Sequence, residues 1–195
     1  MAKKKSRNTK GKIIVAAWKL FYEQGYEDTT IEEIIEESGT SKGSFYHYFA
    51  GKDALLSSLS YMFDEKYEQL MEEIDPKMHS FDKLMYLNRE LFRLVENSIS
   101  LELLAKLYSS QLTTKGEKHL LDHNRVYYKT LRTIFAEGQS RGEITEDLSA
   151  NELVKVYALC ERALLYDWCL SNGEYSLIRY TERMFPVFLG KFKIS

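Results

Sequence analysis

The sequence predicts an all-α protein of about nine helices, and three observations carry that expectation. Apolar residues recur at three- and four-residue spacing along most of the chain, with no run that alternates as a half-buried strand would. Helix stops punctuate this pattern at Gly25, Gly39, Asp75-Pro76, Asn97-Ser98, Lys115-Gly116, Arg141-Gly142 and Asn172-Gly173. Only two prolines and ten glycines occur in 195 residues, which leaves little room for long irregular loops.

Residues 1–9 are polar and basic and read as an arm that nucleic-acid phosphates would order. Lys10 to Gln24 is the first helix, with Ile13 or Ile14, Ala17, Leu20 and Phe21 supplying its apolar face and Gly25 closing it. Thr30 and Glu33 then have the spacing of a capping box, in which two orphan helix-end donors are satisfied reciprocally. Ile31, Ile34 and Ile35 form the apolar stripe of this second helix, and Ser38-Gly39-Thr40 ends it. Ser41 is the N-cap of a third helix running Lys42, Gly43, Ser44, Phe45, Tyr46, His47, Tyr48. Two short helices joined by a Gly-centred turn have the shape of a helix-turn-helix, whose second helix enters the DNA major groove by its N-terminal end. Phe45 and Phe49, four apart, anchor that helix inward. The side chains left facing outward are types that hydrogen-bond phosphates and base edges, which a helical hairpin buried in a core would not carry.

Residues 13–56 resemble the DNA-binding domain of TetR-family transcriptional regulators. The resemblance rests on Ile13-Ile14, Ala16-Ala17, Leu20-Phe21, Gly25-Tyr26, Thr29-Thr30-Ile31, Ile34, Gly39, Ser41-Lys42-Gly43, Tyr46, Phe49, Lys52 and Leu55. It departs at Ser44 and Phe45, where the family often has Thr and Leu. It implies a head of residues 1–52 and a ligand-binding, dimerising body of residues 53–195. Within the head, Lys42 and Ser44 are the candidates for base edges, and Gly43 for close approach of the backbone. Thr30, Thr40, Ser41, Tyr46, His47 and Lys52 are the further DNA contacts, Lys52 holding a phosphate at the start of its helix.

Lys52 opens a long helix expected to run to about Ile74 and to link head and body, stopped at Asp75-Pro76. Helices are expected at about 81–96, 98–111, 118–141, 149–171 and 175–191. The last two are apolar nearly all round and need burial on more than one side. On the first of them lie Val154, Tyr157, Ala158, Leu164, Leu165 and Trp168. On the second lie Leu177, Ile178, Tyr180, Met184, Phe185, Val187, Phe188 and Leu189. The resemblance implies a homodimer joined through these two helices, on a palindromic double-stranded operator. The same residues could instead be each subunit's own core.

Aromatic residues make up 13% of the chain, and many fall in the body, which suits an apolar small-molecule pocket. By resemblance the effector site is expected around Tyr86, Tyr108, Tyr127, Tyr128, Glu161 and Arg162. Glu161 and Arg162 also interrupt the apolar run YALCERALLYDW, where a charge needs a partner or solvent. Equally, such residues are the ordinary core of an aromatic-rich helical body.

The formal charge of −2 divides into +2 for residues 1–52 (nine Lys or Arg against seven Asp or Glu) and −4 for the remainder (eighteen against twenty-two). A head so weakly basic argues against an architectural binder held by phosphate neutralisation alone. An enzyme would need a nucleophile with its base, or ligands at metal spacing. The sequence offers only His119-Leu120-Leu121-Asp122-His123, a histidine pair four apart on an expected helix start, without further ligands. No cofactor or metal is expected. Cys160 and Cys169, nine apart on one helix, project to opposite sides and cannot pair. No eighteen-residue apolar run and no signal-type segment are present, so a cytoplasmic protein with no membrane partner is expected.

Overall fold

The structure is a computed structural model that describes residues 2–113 and 118–194, with side chains from residue 9 onward. Among the described residues it contains ten α-helices, two 3-10 turns and no strand. The helices are α1 (Ala2–Gln24), α2 (Ile31–Ser38), α3 (Lys42–Tyr48), α4 (Lys52–Leu56), α5 (Leu59–Glu73), α6 (Ser80–Ser98), α7 (Leu101–Thr113), α8 (Val126–Ser140), α9 (Ala150–Leu170) and α10 (Leu177–Leu189). The all-α class holds, and three element expectations are corrected. The turn expected at Lys115-Gly116 lies outside the described residues.

The first helix begins at Ala2, so the expected arm is helical backbone; its Lys and Arg are good helix formers. The long helix expected from Lys52 to Ile74 is two helices. Between them Ser57 Oγ donates to the carbonyl of Ala54, Ser58 Oγ to Leu55 and Ser60 Oγ to Ser57, local bonds that compete with the helical ladder. Trp18 Nε1 also donates to Ser58 Oγ at 2.8 Å. Finally, the helix expected from Lys118 starts at Val126; His119–Leu121 is a single 3-10 turn. The histidine pair therefore does not share a helix face, and His123 instead lies against the Tyr128 ring, centroids 4.6 Å apart. Among the described residues no three His, Cys, Asp or Glu side chains gather as metal ligands would.

The chain divides into two compact units, Met1–Tyr61 with Glu102–Gly116, and Met62–Leu101 with Glu117–Ser195. In the first, α1 packs on α2 and α3 over a core of Ile13, Ala17, Phe21, Ile34, Phe45, Leu55 and Leu56. Phe45 is fully buried with its ring 5.8 Å from Phe49, a burial that stabilises by about 2–3 kcal/mol.

In the second unit, α6, α8, α9 and α10 pack on one another around Leu84, Leu87, Phe92, Leu131, Phe135, Tyr157 and Phe185. Edge-on ring contacts run from Phe135 to Tyr157 (6.2 Å) and from Tyr157 to Phe185 (4.9 Å). His79 caps α6 through Nδ1, accepting from Phe81 N, while Glu143 accepts from Ser80 N at 2.7 Å. Gly138 lets α8 come close to its neighbours: a Cβ there would stand 2.6 Å from Ile144 Cδ1 and 2.8 Å from Ser80 Cβ. A capping box of Ser149 and Glu152 opens α9. No helix among the described residues is long and apolar enough to cross a membrane.

Candidate nucleic-acid interface and buried polar centre

The capping box predicted for α2 is present. Glu33 N donates to Thr30 Oγ1 at 3.2 Å, and Thr30 N donates to Glu33 Oε2 at 2.7 Å. Gly39 then takes the left-handed conformation (φ 60°, ψ 34°), in which its N–H and that of Thr40 satisfy the last carbonyls of α2. Ser41 caps α3, accepting from Ser44 N at 3.1 Å.

With Phe45 seated in the core, Ser41, Lys42, Gly43, Tyr46 and His47 are all exposed, while Ser44 and Thr40 are half-buried. Four of these polar groups already have partners, the Ser41 and Ser44 hydroxyls sharing a 2.9 Å bond. Lys42 Nζ meets Glu32 Oε1 at 3.2 Å, and the Thr40 hydroxyl shares a 2.8 Å bond with Ser38 Oγ. A Cβ on Gly43 would approach only Ser41 Oγ, at 3.9 Å, so nothing within the fold requires glycine there.

The Lys52 side chain has its partners within the head. Its ammonium donates to the carbonyls of Tyr26 (2.6 Å), Thr29 (2.8 Å) and Glu27 (3.1 Å), and stands 4.4 Å from the centroid of the Tyr26 ring. All three N–H donors are thus engaged in holding the α1–α2 loop, and the side chain serves to position the head. From α7, Lys106 reaches the same loop through Glu27. Tyr26 OH bonds to Asp53; burial and that carboxylate push its phenol well above the ordinary range.

Four of the six residues expected at the effector site surround a buried polar centre in the second unit. Glu161 is 3% exposed. It accepts from Asn88 Nδ2 and from Tyr127 OH, each at 2.7 Å, and these two hydrogen bonds join α6, α8 and α9. Burial pushes its carboxyl up to about 7, although the hydrogen bonds it accepts favour the charged form. Tyr67, from α5, packs edge-on to Tyr127 at 5.2 Å, and its buried hydroxyl meets no partner at hydrogen-bond geometry among the described residues. Arg162 bonds to Tyr128 OH at 3.3 Å, and Tyr128 OH donates to the Leu120 carbonyl at 2.8 Å. Arg125 forms a bidentate pair with Asp64, both bonds 3.0 Å.

The other two expected residues lie elsewhere. Tyr86 lines a groove between α6 and α10, and Tyr108 sits on α7 in the first unit. Asn88 and Tyr67 carried no sequence signal of their own. Asn88 could have been found only by asking which polar residue on an apolar helix face could reach Glu161.

Residues 13–59 match the bacterial regulatory proteins, tetR family, and residues 63–190 match the C-terminal region of the YsiA-like proteins. The chain belongs to the tetR family. It is a DNA-binding transcriptional regulator with a helix-turn-helix head. This TetR-family chain is 26% identical over 182 residues to the fatty acid metabolism regulator protein of Bacillus subtilis, covering 91% of this chain and 92% of that protein. It is 29% identical over 181 residues to the transcriptional regulator HbdR of an Aromatoleum species, covering 87% and 74%. Among solved structures, FadR from Thermus thermophilus in complex with lauroyl-CoA has the same fold, with a TM-score of 0.70 at 20% identity over 95% of each chain. FadR from Bacillus subtilis with stearoyl-CoA gives 0.69 at 23% identity, over 91% of this chain and 96% of that one.

Proposed function

We propose that this TetR-family regulator is a homodimeric repressor that binds a palindromic operator and releases it when a fatty acyl-CoA enters the body. The end-to-end similarity to a fatty acid metabolism regulator carries the choice of effector. The interior fits that choice in kind: a few hydrogen-bonding groups at Glu161, Asn88 and Tyr127 stand among buried aromatic and aliphatic side chains.

In the operator complex two α3 helices occupy successive major grooves, about 34–36 Å apart. Lys42 leaves Glu32 to reach base edges beside Ser44, and bare Gly43 lets the DNA backbone approach. Ser41, Tyr46 and His47 hold phosphates with Thr30 and Thr40 at the flank. Lys52 acts by fixing the loop behind them.

The dimer forms through α9 and α10, on α10 through part of the set its apolar composition suggested and on α9 through other residues. Val154, Tyr157, Ala158, Leu164, Leu165 and Trp168 are all buried inside the subunit, as are Leu177, Phe185 and Leu189. Exposed instead are Leu159, Tyr166 and Leu170 on one side of α9, and Tyr180, Val187 and Phe188 on α10. Their helical spacing makes one stripe per helix, as a four-helix interface between two subunits requires.

The test is a fluorescence-anisotropy titration of a palindrome obtained by selection from random duplexes. Lauroyl-CoA is expected to release the protein, and coenzyme A or laurate alone to leave it bound. If lauroyl-CoA leaves binding unchanged, the effector class is wrong while the operator reading stands. If selection yields no motif, the operator reading is lost.

A further inference from the structure

The helix-turn-helix carries the same sign of charge as the nucleic acid it reads. Between Leu20 and Gly51 the chain has seven Asp or Glu and a single Lys or Arg, Lys42. Four of those carboxylates, Glu32, Glu33, Glu36 and Glu37, lie on α2. Such a segment cannot hold a duplex by neutralising phosphates, which is the source of nearly all non-specific binding.

Its one cation is moreover engaged. Lys42 Nζ donates to Glu32 Oε1 at 3.2 Å, and the two side chains are 67% and 70% exposed. An ion pair so open to water contributes little to stability. What joins α2 to α3 is the core around Ile34 and Phe45, both fully buried. The adjacent Glu33 gives the contrast. Its Oε2 accepts from Thr30 N, Thr30 Oγ1 and Gln24 Nε2, and so serves the cap of its own helix. Glu32 takes no part in that cap, and the side chain it meets is Lys42. The Lys42 ammonium holds the Glu32 carboxyl below the ordinary carboxylate range, so it is charged at neutral pH.

A carboxylate at this distance from an ammonium stands where a phosphate oxygen would. On a random duplex Lys42 therefore divides its time between Glu32 and a phosphate, and releases correspondingly fewer counterions. On the operator, acceptors on base edges draw the ammonium into the groove, and Glu32 no longer competes for it. Repulsion between the Glu32 charge and the duplex as a whole is common to both complexes and cancels from their ratio.

We propose that Glu32 is a specificity-determining residue, which acts through Lys42 as an internal substitute for phosphate and weakens binding to other DNA more than binding to the operator. Glu32 itself touches no DNA; it is a positioning residue. The inference rests on the reading that Lys42 contacts base edges.

The test is fluorescence anisotropy of the full-length protein on the selected palindrome and on a scrambled duplex of the same length, over a range of salt concentrations. Glu32→Gln is expected to bind the scrambled duplex about fivefold more tightly, with a salt dependence steeper by about one unit per bound head. Its operator affinity should rise by less than about twofold. Glu36→Gln makes the same charge change one turn further along α2, at a carboxylate with no ion pair among the described residues, and should leave the ratio of the two affinities at its wild-type value. In a Lys42→Ala background Glu32→Gln should leave that ratio unchanged as well. A merely structural role in α2 would move both affinities together, so the ratio separates the two. An unchanged ratio in Glu32→Gln, an equal fall in Glu36→Gln, or a fall that persists without Lys42 would each overturn the assignment while leaving Lys42 at the base edges. Wild-type operator affinity in Lys42→Ala alone would remove the base-contact reading, and this inference with it.

Discussion

Replacing Glu161 by glutamine keeps the shape of the side chain and one carbonyl oxygen, for either Asn88 or Tyr127, but removes the proton equilibrium. In the folded protein burial raises this carboxyl from its ordinary 4.5 to about 7. A group whose folded value is raised binds its proton more tightly in the native state. Its stabilising contribution is therefore complete below pH 4.5 and is lost as pH rises through about 7. The whole difference is about 3 kcal/mol, since each pH unit corresponds to about 1.4 kcal/mol. Linkage places about 2 kcal/mol of it between pH 5.5 and 8.5. For a chain of this length that is about 4–8 °C in melting temperature. The assay is a pair of thermal melts at pH 5.5 and 8.5 for the wild type and Glu161→Gln. Other titrating groups cancel in the difference between the two proteins. The wild type should lose about 4–8 °C more than the variant on going to pH 8.5. Equal losses would show that Glu161 keeps an ordinary carboxyl in the fold, and that the bonds from Asn88 and Tyr127 offset its burial.

Four further outcomes are expected. Lys52→Met should destabilise the head by about 1–3 kcal/mol, because three loop carbonyls, two of them part-buried, lose an ammonium donor. The salt dependence of its operator binding should keep the wild-type slope, whereas loss of a true phosphate contact would lower that slope by about one. Lys42→Ala should weaken operator binding by about 1–3 kcal/mol and relax preference at one base pair of each half-site, measured by anisotropy on single-base variants of the selected palindrome. Gly138→Ala should destabilise the body by about 1–3 kcal/mol in urea unfolding, since its methyl meets Ile144 and Ser80 well inside contact distance. Leu159→Glu with Val187→Glu should shift the protein from dimer to monomer in light scattering without lowering its helix content.

The reading head was legible because its signals are local. Thr30 and Glu33, Gly39, Ser41, and Phe45 with Phe49 each act within a few residues of themselves, and spacing alone specifies them. Glu161 stood out for a related reason, since a carboxylate in an apolar run needs a partner or solvent; packing decides that it is buried with partners. What the local pattern left unmarked depended on distance. Lys52 bonds to carbonyls 23 to 26 residues earlier, and the sequence around position 52 contains nothing that marks those partners. The phase of α9 was ambiguous because apolar residues lie all round it. Only packing decides that Val154 and Tyr157 face in while Leu159 and Tyr166 face out. The break before α5 was written in three nearby serines whose hydroxyls fold back on the chain, a signal weaker than the apolar periodicity that runs across it. Both cysteines are half-buried and unpaired. Burial raises both thiols, that of Cys169 to about 11, which keeps them as thiols rather than reactive thiolates.

The inclusion of α7 in the first unit bears on how such proteins can be cut and recombined. A fragment ending at Tyr61 holds every residue proposed to face DNA, yet it omits Lys106, which grips the loop that Lys52 also holds. Grafting this head onto another regulator's body would therefore transplant α1 to α4 without a contact supplied from some forty residues further along the chain. A chimaera that keeps a lysine at the matching position of its own seventh helix should read the operator as the parent does. One without it should bind the same sequence from a looser head, so that specificity survives the exchange better than affinity.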